Sequence, residues 1–179
     1  MMDFFVTFAA KRQDLQSRQS KNIKQSVMSN FTAKQKECLE VMEHAFFVEL
    51  TTINRNGFPS TRAMLNLRNR QQYPHLVELY NAENNPLAVY LTTNTSSEKI
   101  SEIAENGKSC LYYCRPEAFH GILLQGTVEH VTDRAFKQKV WQDGWEIYYP
   151  KGEEDYAVLR FVPDRLKTYA NFTVQTEKI

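Results

Sequence analysis

The sequence predicts a mainly β (α+β) fold, an antiparallel barrel with short flanking helices. Three observations carry this reading. Runs rich in β-branched and aromatic residues recur along the chain, most are joined by hairpin-type turns, and helical periodicity is confined to a few short stretches. At 179 residues the chain suits one domain of about 150 residues with an extension, large enough to bury a core without metal or disulfide support.

Residues 1–30 stand apart. They hold five basic residues (Lys11, Arg12, Arg18, Lys21, Lys24) against Asp3 and Asp14, with many Gln and Ser. They are read as an N-terminal extension, disordered or helical, with Met28 an alternative start and the folded domain occupying 31–179. A basic tail for nucleic acid would interleave aromatics, and this one does not. Thr32 is placed to cap a helix reaching about His44, with Cys38, Leu39, Met42 and Phe46 on its inner side. The period then changes: FFVELTTINRNGFPSTRAMLNL gives two strands around Asn56-Gly57, a strong hairpin signal. Residues 68–86 are polar and irregular, with Leu76 to Tyr80 a candidate strand, and Leu87 to Thr93 is a further strand.

That strand delivers LTTNTSSEKISEIAENG, the most informative segment. Thr95 and Glu98 have capping-box spacing, Ile100, Ile103 and Ala104 have helical spacing, and Gly107 ends the helix. With Thr95 as N-cap, the N–H groups of Ser96, Ser97 and Glu98 point outward beside hydroxyls, an arrangement that favours phosphate. Lys99 in the first turn opposes the helix dipole by about 0.3–1 kcal/mol, which a bound phosphate would offset. The competing reading is an ordinary capped surface helix.

After Gly107, KSCLYYC is a strand, and Phe119 to Val131 is a longer one in which Gly126 marks a bulge or a close backbone approach. Asp133 caps a short helix carrying Ala135, Phe136, Val140 and Trp141. A turn-rich stretch, GWEIYYPKGEED, precedes strands at Tyr156 to Val162 and Leu166 to Phe172. Three short helices complete this reading.

Composition narrows the function. Twenty-two basic against 21 acidic residues leave +1, so no global field points to nucleic acid, an anionic membrane or a polyanionic substrate. Three cysteines without Cys-x-x-Cys spacing point to a reduced, cytoplasmic protein with neither a disulfide framework nor a zinc site. Cys110 and Cys114 on one strand would lie about 13 Å apart, beyond a disulfide's reach, and are read as packing residues. The apolar start, Phe4 to Ala10, is too short for a membrane span and lacks the preceding basic region of a signal peptide.

The order and spacing of FFVELTT, STRAMLNL, TTNTSSEK, ILLQGTVEHV, WQDGW and DYAVLRFVPDRLKTY resemble the pyridoxamine 5′-phosphate oxidase-like FMN-binding split-barrel family, in its general stress protein branch. The resemblance covers about Phe31 to Tyr169. It implies an antiparallel split β-barrel and a homodimer whose FMN sites lie at the subunit interface. Carried over by matching position, Arg62 and Lys99 would pair with the FMN phosphate, Thr93 and Ser97 would donate to it, and Thr92, Met64 and Leu65 would line the flavin. Arginine supplies a planar fork and lysine a point charge, both suited to an anion. Arg62 has a second reading, as half of a barrel-end salt bridge.

Three departures shape the expectation. Glu98 stands where the oxidases commonly carry arginine, which implies a weaker or rearranged phosphate site. Gly121 falls where the family has a glutamine. The chain ends without the family's Arg-rich substrate segment, so oxidation of pyridoxamine phosphate itself is not expected. Trp145, with Trp141, either covers a flavin or packs as aromatic core beneath a loop. His120 is either a flavin contact or structural. No Ser/His/Asp set, metal-ligand spacing or glycine-rich loop is discernible, as suits a cofactor that carries its own redox chemistry. The resulting expectation is an FMN-dependent oxidoreductase of unknown substrate. The alternative is a non-catalytic protein that binds or senses flavin, haem or deazaflavin.

Overall fold

The structure, a computed structural model, describes residues 31–179. The extension read at residues 1–30 lies outside the described residues. Helix α1 (Ala33–His44) opens the domain with the expected Thr32 cap, which Gln35 completes as a capping box: Thr32 accepts from the Gln35 N–H, and the Gln35 side chain accepts from the Thr32 N–H. It buries Cys38, Leu39, Val41 and Met42. Phe46, expected inside, is 72% exposed. Asn66 is the reason: its side-chain amide donates to Met42 O and Ala45 O, which ends the helix at Ala45 and turns the chain outward.

Strands β1 (Phe47–Ile53) and β2 (Pro59–Leu65) form the expected hairpin. Gly57 has φ +80°, and Asn54 Oδ1 accepts from the Asn56 and Phe58 N–H groups, which closes the turn locally. Leu76 to Tyr80 is not a strand: a 3₁₀ turn at Pro74–Leu76 runs into α2 (Val77–Asn81). Pro74 presets the helical φ, and the Tyr80 hydroxyl anchors the segment by accepting from the Tyr90 N–H. Strand β3 (Val89–Asn94), α3 (Glu98–Glu105), β4 (Lys108–Arg115) and β5 (His120–Val131) follow. Asp133 caps α4 (Arg134–Val140) by accepting from the Phe136 N–H, as its position predicts.

The two strands expected at the C-terminal end are one, β6 (Tyr156–Ala170), and a further strand, β7 (Thr173–Lys178), pairs with it. The break suggested by Pro163-Asp164 is absorbed by a bulge, because the register between β5 and β6 shifts at Gln125/Gly126 opposite Pro163. Gly126 is required there: a Cβ would lie 2.1 Å from Val162 O. All pairings among the described residues are antiparallel, in the order β2-β1-β4-β5-β6-β3 with β7 on β6, so the sheet curls into a half-barrel flanked by four short α-helices among those residues. No helix among the described residues is long and apolar enough to cross a membrane.

Alternation along β3 separates two cores. Val89 and Leu91 join Val48, Leu50, Leu111, Ile122 and Phe161 inside the barrel. Tyr90 faces the other way, into a cluster with Tyr73, Trp145, Tyr149 and Tyr156. Cys38 is buried, Cys110 half-buried and Cys114 exposed, all three as free thiols, so Cys114 is not the packing residue its spacing suggested.

Candidate functional site

Two cations converge where β3 hands over to α3. Lys99, in the first turn of α3, folds back to donate to Thr93 Oγ1 at 2.9 Å and Ser97 Oγ at 2.5 Å. Arg62 arrives from β2 across the hairpin, donating from Nη2 to Ser60 Oγ at 3.1 Å and Glu102 Oε2 at 3.0 Å, and from Nη1 to Thr52 Oγ1 and Leu50 O. Burial pushes the Lys99 pKa down and the Arg62 charge lowers it further, partly offset by Glu102. The two cations therefore feel one another, and an anion placed against both would relieve that repulsion.

The turn differs from its sequence reading in a way that explains this geometry. The N-cap is Ser97, not Thr95, and its hydroxyl does not cap because it accepts from Lys99. Thr95 is drawn elsewhere: its N–H donates to Asp155 O at 2.7 Å and its hydroxyl to Glu154 O at 2.6 Å. The Ser96 and Ser97 N–H groups, expected to point free, are taken by Asn94 Oδ1 and Asn94 O. The cradle at this turn thus consists of side chains, the Lys99 ammonium, the Arg62 guanidinium and the hydroxyls of Thr93 and Ser97, more than of backbone N–H groups.

Glu102 is the member that sequence reasoning missed. It is only 5% exposed, accepts from the Thr52 hydroxyl at 2.5 Å and pairs with Arg62. Burial pushes its carboxyl up, but the bonds from Thr52 and Arg62 and the charges of Arg62 and Lys99 outweigh that and hold it below the usual range. The signal was present: Lys99, Glu102 and Ile103 have i, i+3, i+4 spacing, so an acid sits on the inward stripe of α3. Both readings of Arg62 meet here, since it is salt-bridged and also faces Lys99.

Of the expected cofactor residues, the structure brings together Arg62, Thr93, Ser97 and Lys99. Met64 is on the same strand face as Arg62 and buried in the barrel core. Leu65 is on the outer face, 41% exposed. Thr92 pairs with Val158 on the side of β3 that carries Tyr90, its buried hydroxyl beside the Tyr149 side chain of the second cluster. Trp145 is buried in that cluster, edge-on to Trp141, Tyr73 and Tyr149. His120 lies 3.9 Å from Glu37 of α1.

A curled antiparallel half-barrel of this strand order, with two cations and two hydroxyls gathered at the end of β3, defines a protein of the split-barrel class. The chain belongs to the pyridoxamine 5′-phosphate oxidase family, whose model matches residues 34–170. It is similar to a Clostridium acetobutylicum protein related to general stress protein 26 of B. subtilis, of the pyridoxinephosphate oxidase family. The two are 34% identical, with a TM-score of 0.65 over 80% of this chain and 92% of that one. Two more distant structures share the fold. One is a pyridoxamine 5′-phosphate oxidase-related, FMN binding protein from Nostoc punctiforme, 12% identical, with a TM-score of 0.56 over 84% of this chain and 98% of that one. The other is a heme binding protein from Mycobacterium smegmatis, 14% identical, with a TM-score of 0.56 over 78% of this chain and 56% of that one. No curated protein matches the chain.

Proposed function

We propose that this protein is an FMN-binding flavoprotein, a flavin-dependent oxidoreductase of the general stress type that works as a homodimer with its cofactor between subunits. The observation that carries the reading is Lys99, held against its own helix dipole on Thr93 and Ser97 beside a second cation, Arg62. Such a cradle suits the phosphate of FMN, with Arg62 and Lys99 supplying charge and Thr93 and Ser97 supplying hydroxyl donors. The flavin, once bound, brings hydride and electron chemistry of its own, so the protein needs to bind it, orient it and control access.

The outer face of the sheet supports the dimer. Phe47 and Leu65, partners across β1 and β2, are 52% and 41% exposed there, an apolar pair that a second copy would cover. The haem alternative is less well supported: the cations and hydroxyls would suit its propionates as they suit a phosphoryl group, but Arg62, Lys99, Thr93 and Ser97 include none of the usual iron ligands. The test is a fluorescence titration with FMN, for which saturable binding near one flavin per subunit is expected. Lys99→Ala should weaken it by about 1.5–3 kcal/mol, the worth of a charged hydrogen bond, or about tenfold to a hundredfold. Absence of saturable binding, or equal affinity in the variant, refutes the phosphate assignment. Bound flavin that no nicotinamide cofactor reduces would favour a binding or sensing role.

A further inference from the structure

Glu102 is the one acid among the groups bonded to Arg62, and its side chain is only 6% exposed. It has two effects on the cradle. It fixes the guanidinium, and it cancels one of the two positive charges, so Arg62, Lys99 and Glu102 together carry one net positive charge. An incoming phosphoryl anion must share Arg62 with a carboxylate already bonded to it. Like charges separated by roughly 6 Å in a protein environment lower a binding constant by about tenfold or more.

We infer that Glu102 is a specificity-setting residue: a resident counter-ion that holds down affinity for the phosphoryl group, so that the phosphorylated ligand is exchangeable instead of permanently held. The ligand's identity as FMN rests on the function proposed above; the charge argument does not. Arg62 has anchors besides Glu102, namely Leu50 O, Thr52 and Ser60, and a glutamine at 102 keeps a side-chain oxygen to accept from Thr52 and Arg62. Glu102→Gln therefore removes the charge while leaving the geometry in place.

The experiment compares wild type and Glu102→Gln in titrations with FMN, riboflavin and inorganic phosphate, the last followed by phosphorus NMR. The variant should bind FMN and phosphate at least tenfold more tightly, and riboflavin, which has no phosphate, equally. A purely structural role would shift all three together or none. Affinity for FMN and phosphate that is unchanged or weaker in the variant overturns the inference. Tighter phosphate binding with no FMN binding by either protein upholds the role of Glu102 and refutes the flavin reading. In the wild type alone, FMN should be lost on a desalting column; its retention overturns exchangeability even if the variant fails to fold.

Discussion

Arg62→Met tests the buried pair from the side of stability. The substitution keeps most of the aliphatic stem and deletes the guanidinium, leaving Glu102 buried against Thr52 with Lys99 as the remaining nearby cation. Removing one partner of a buried ion pair costs about 3–5 kcal/mol. Arg62 is 23% exposed, so solvent screening reduces this to about 2–4 kcal/mol. For a domain of this size that is a fall in Tm of very roughly 5–15 °C. The pH dependence has a definite sign. In the wild type the Glu102 pKa is depressed, so its contribution is present above its unfolded value of about 4.3 and is lost as pH falls through the folded value. In the variant, burial is opposed only by the Thr52 bond and the Lys99 charge, so the folded pKa rises above its wild-type position and protonation relieves the buried charge. The gap between wild type and variant is therefore widest at pH 7 and narrows toward pH 4. Urea denaturation at both pH values measures it, and the double variant Arg62→Met/Glu102→Gln should recover a large part of the loss. A cost below about 1 kcal/mol at pH 7, the same cost at both pH values, or no recovery in the double variant would refute the reasoning.

Gly126→Ala should destabilise the domain by more than the usual 1–3 kcal/mol of overpacking, because the new methyl meets backbone at Val162 and Pro163; calorimetry reads it, and a near-neutral result would contradict the bulge. Phe47→Asp with Leu65→Asp should convert the proposed dimer to a monomer in sedimentation analysis without loss of secondary structure; a wild type that sediments as a monomer refutes the dimer, and a variant of unchanged dimeric mass places its interface elsewhere. Cys114 should react readily with a thiol reagent at pH 8 while Cys38, buried and pushed up to about 12, reacts only on unfolding; equal rates would contradict its burial.

What was legible in the sequence was local. Asn56-Gly57, the Thr32 cap, Asp133 and Gly126 each act through neighbours or through a steric demand that glycine alone meets, so their roles show in a short window of sequence. What was not legible depends on partners far away along the chain. Pro163-Asp164 looks like the end of a strand until pairing with β5 carries β6 through it, with Asp164 as the extra residue of the bulge opposite Gln125/Gly126. Thr95 looks like an N-cap until Glu154 and Asp155 draw it off. In the cradle, Arg62 and Lys99 were identified through matched motifs, whereas Glu102 needed the hairpin and α3 to be packed together before its partners were evident.

The two hydrogen bonds from Thr95 to the 154–155 backbone have a mechanical consequence. They pin the turn carrying Ser97 and Lys99 to the strap of residues 149–155, which leads from Tyr149 into β6. The strap cannot lift without breaking the turn's bonds, nor can the turn reshape without tugging on the strap. Amide hydrogens of residues 94–97 and 152–155 should therefore exchange as one cooperative unit, and a ligand gripping the turn should slow exchange in the strap that it never touches.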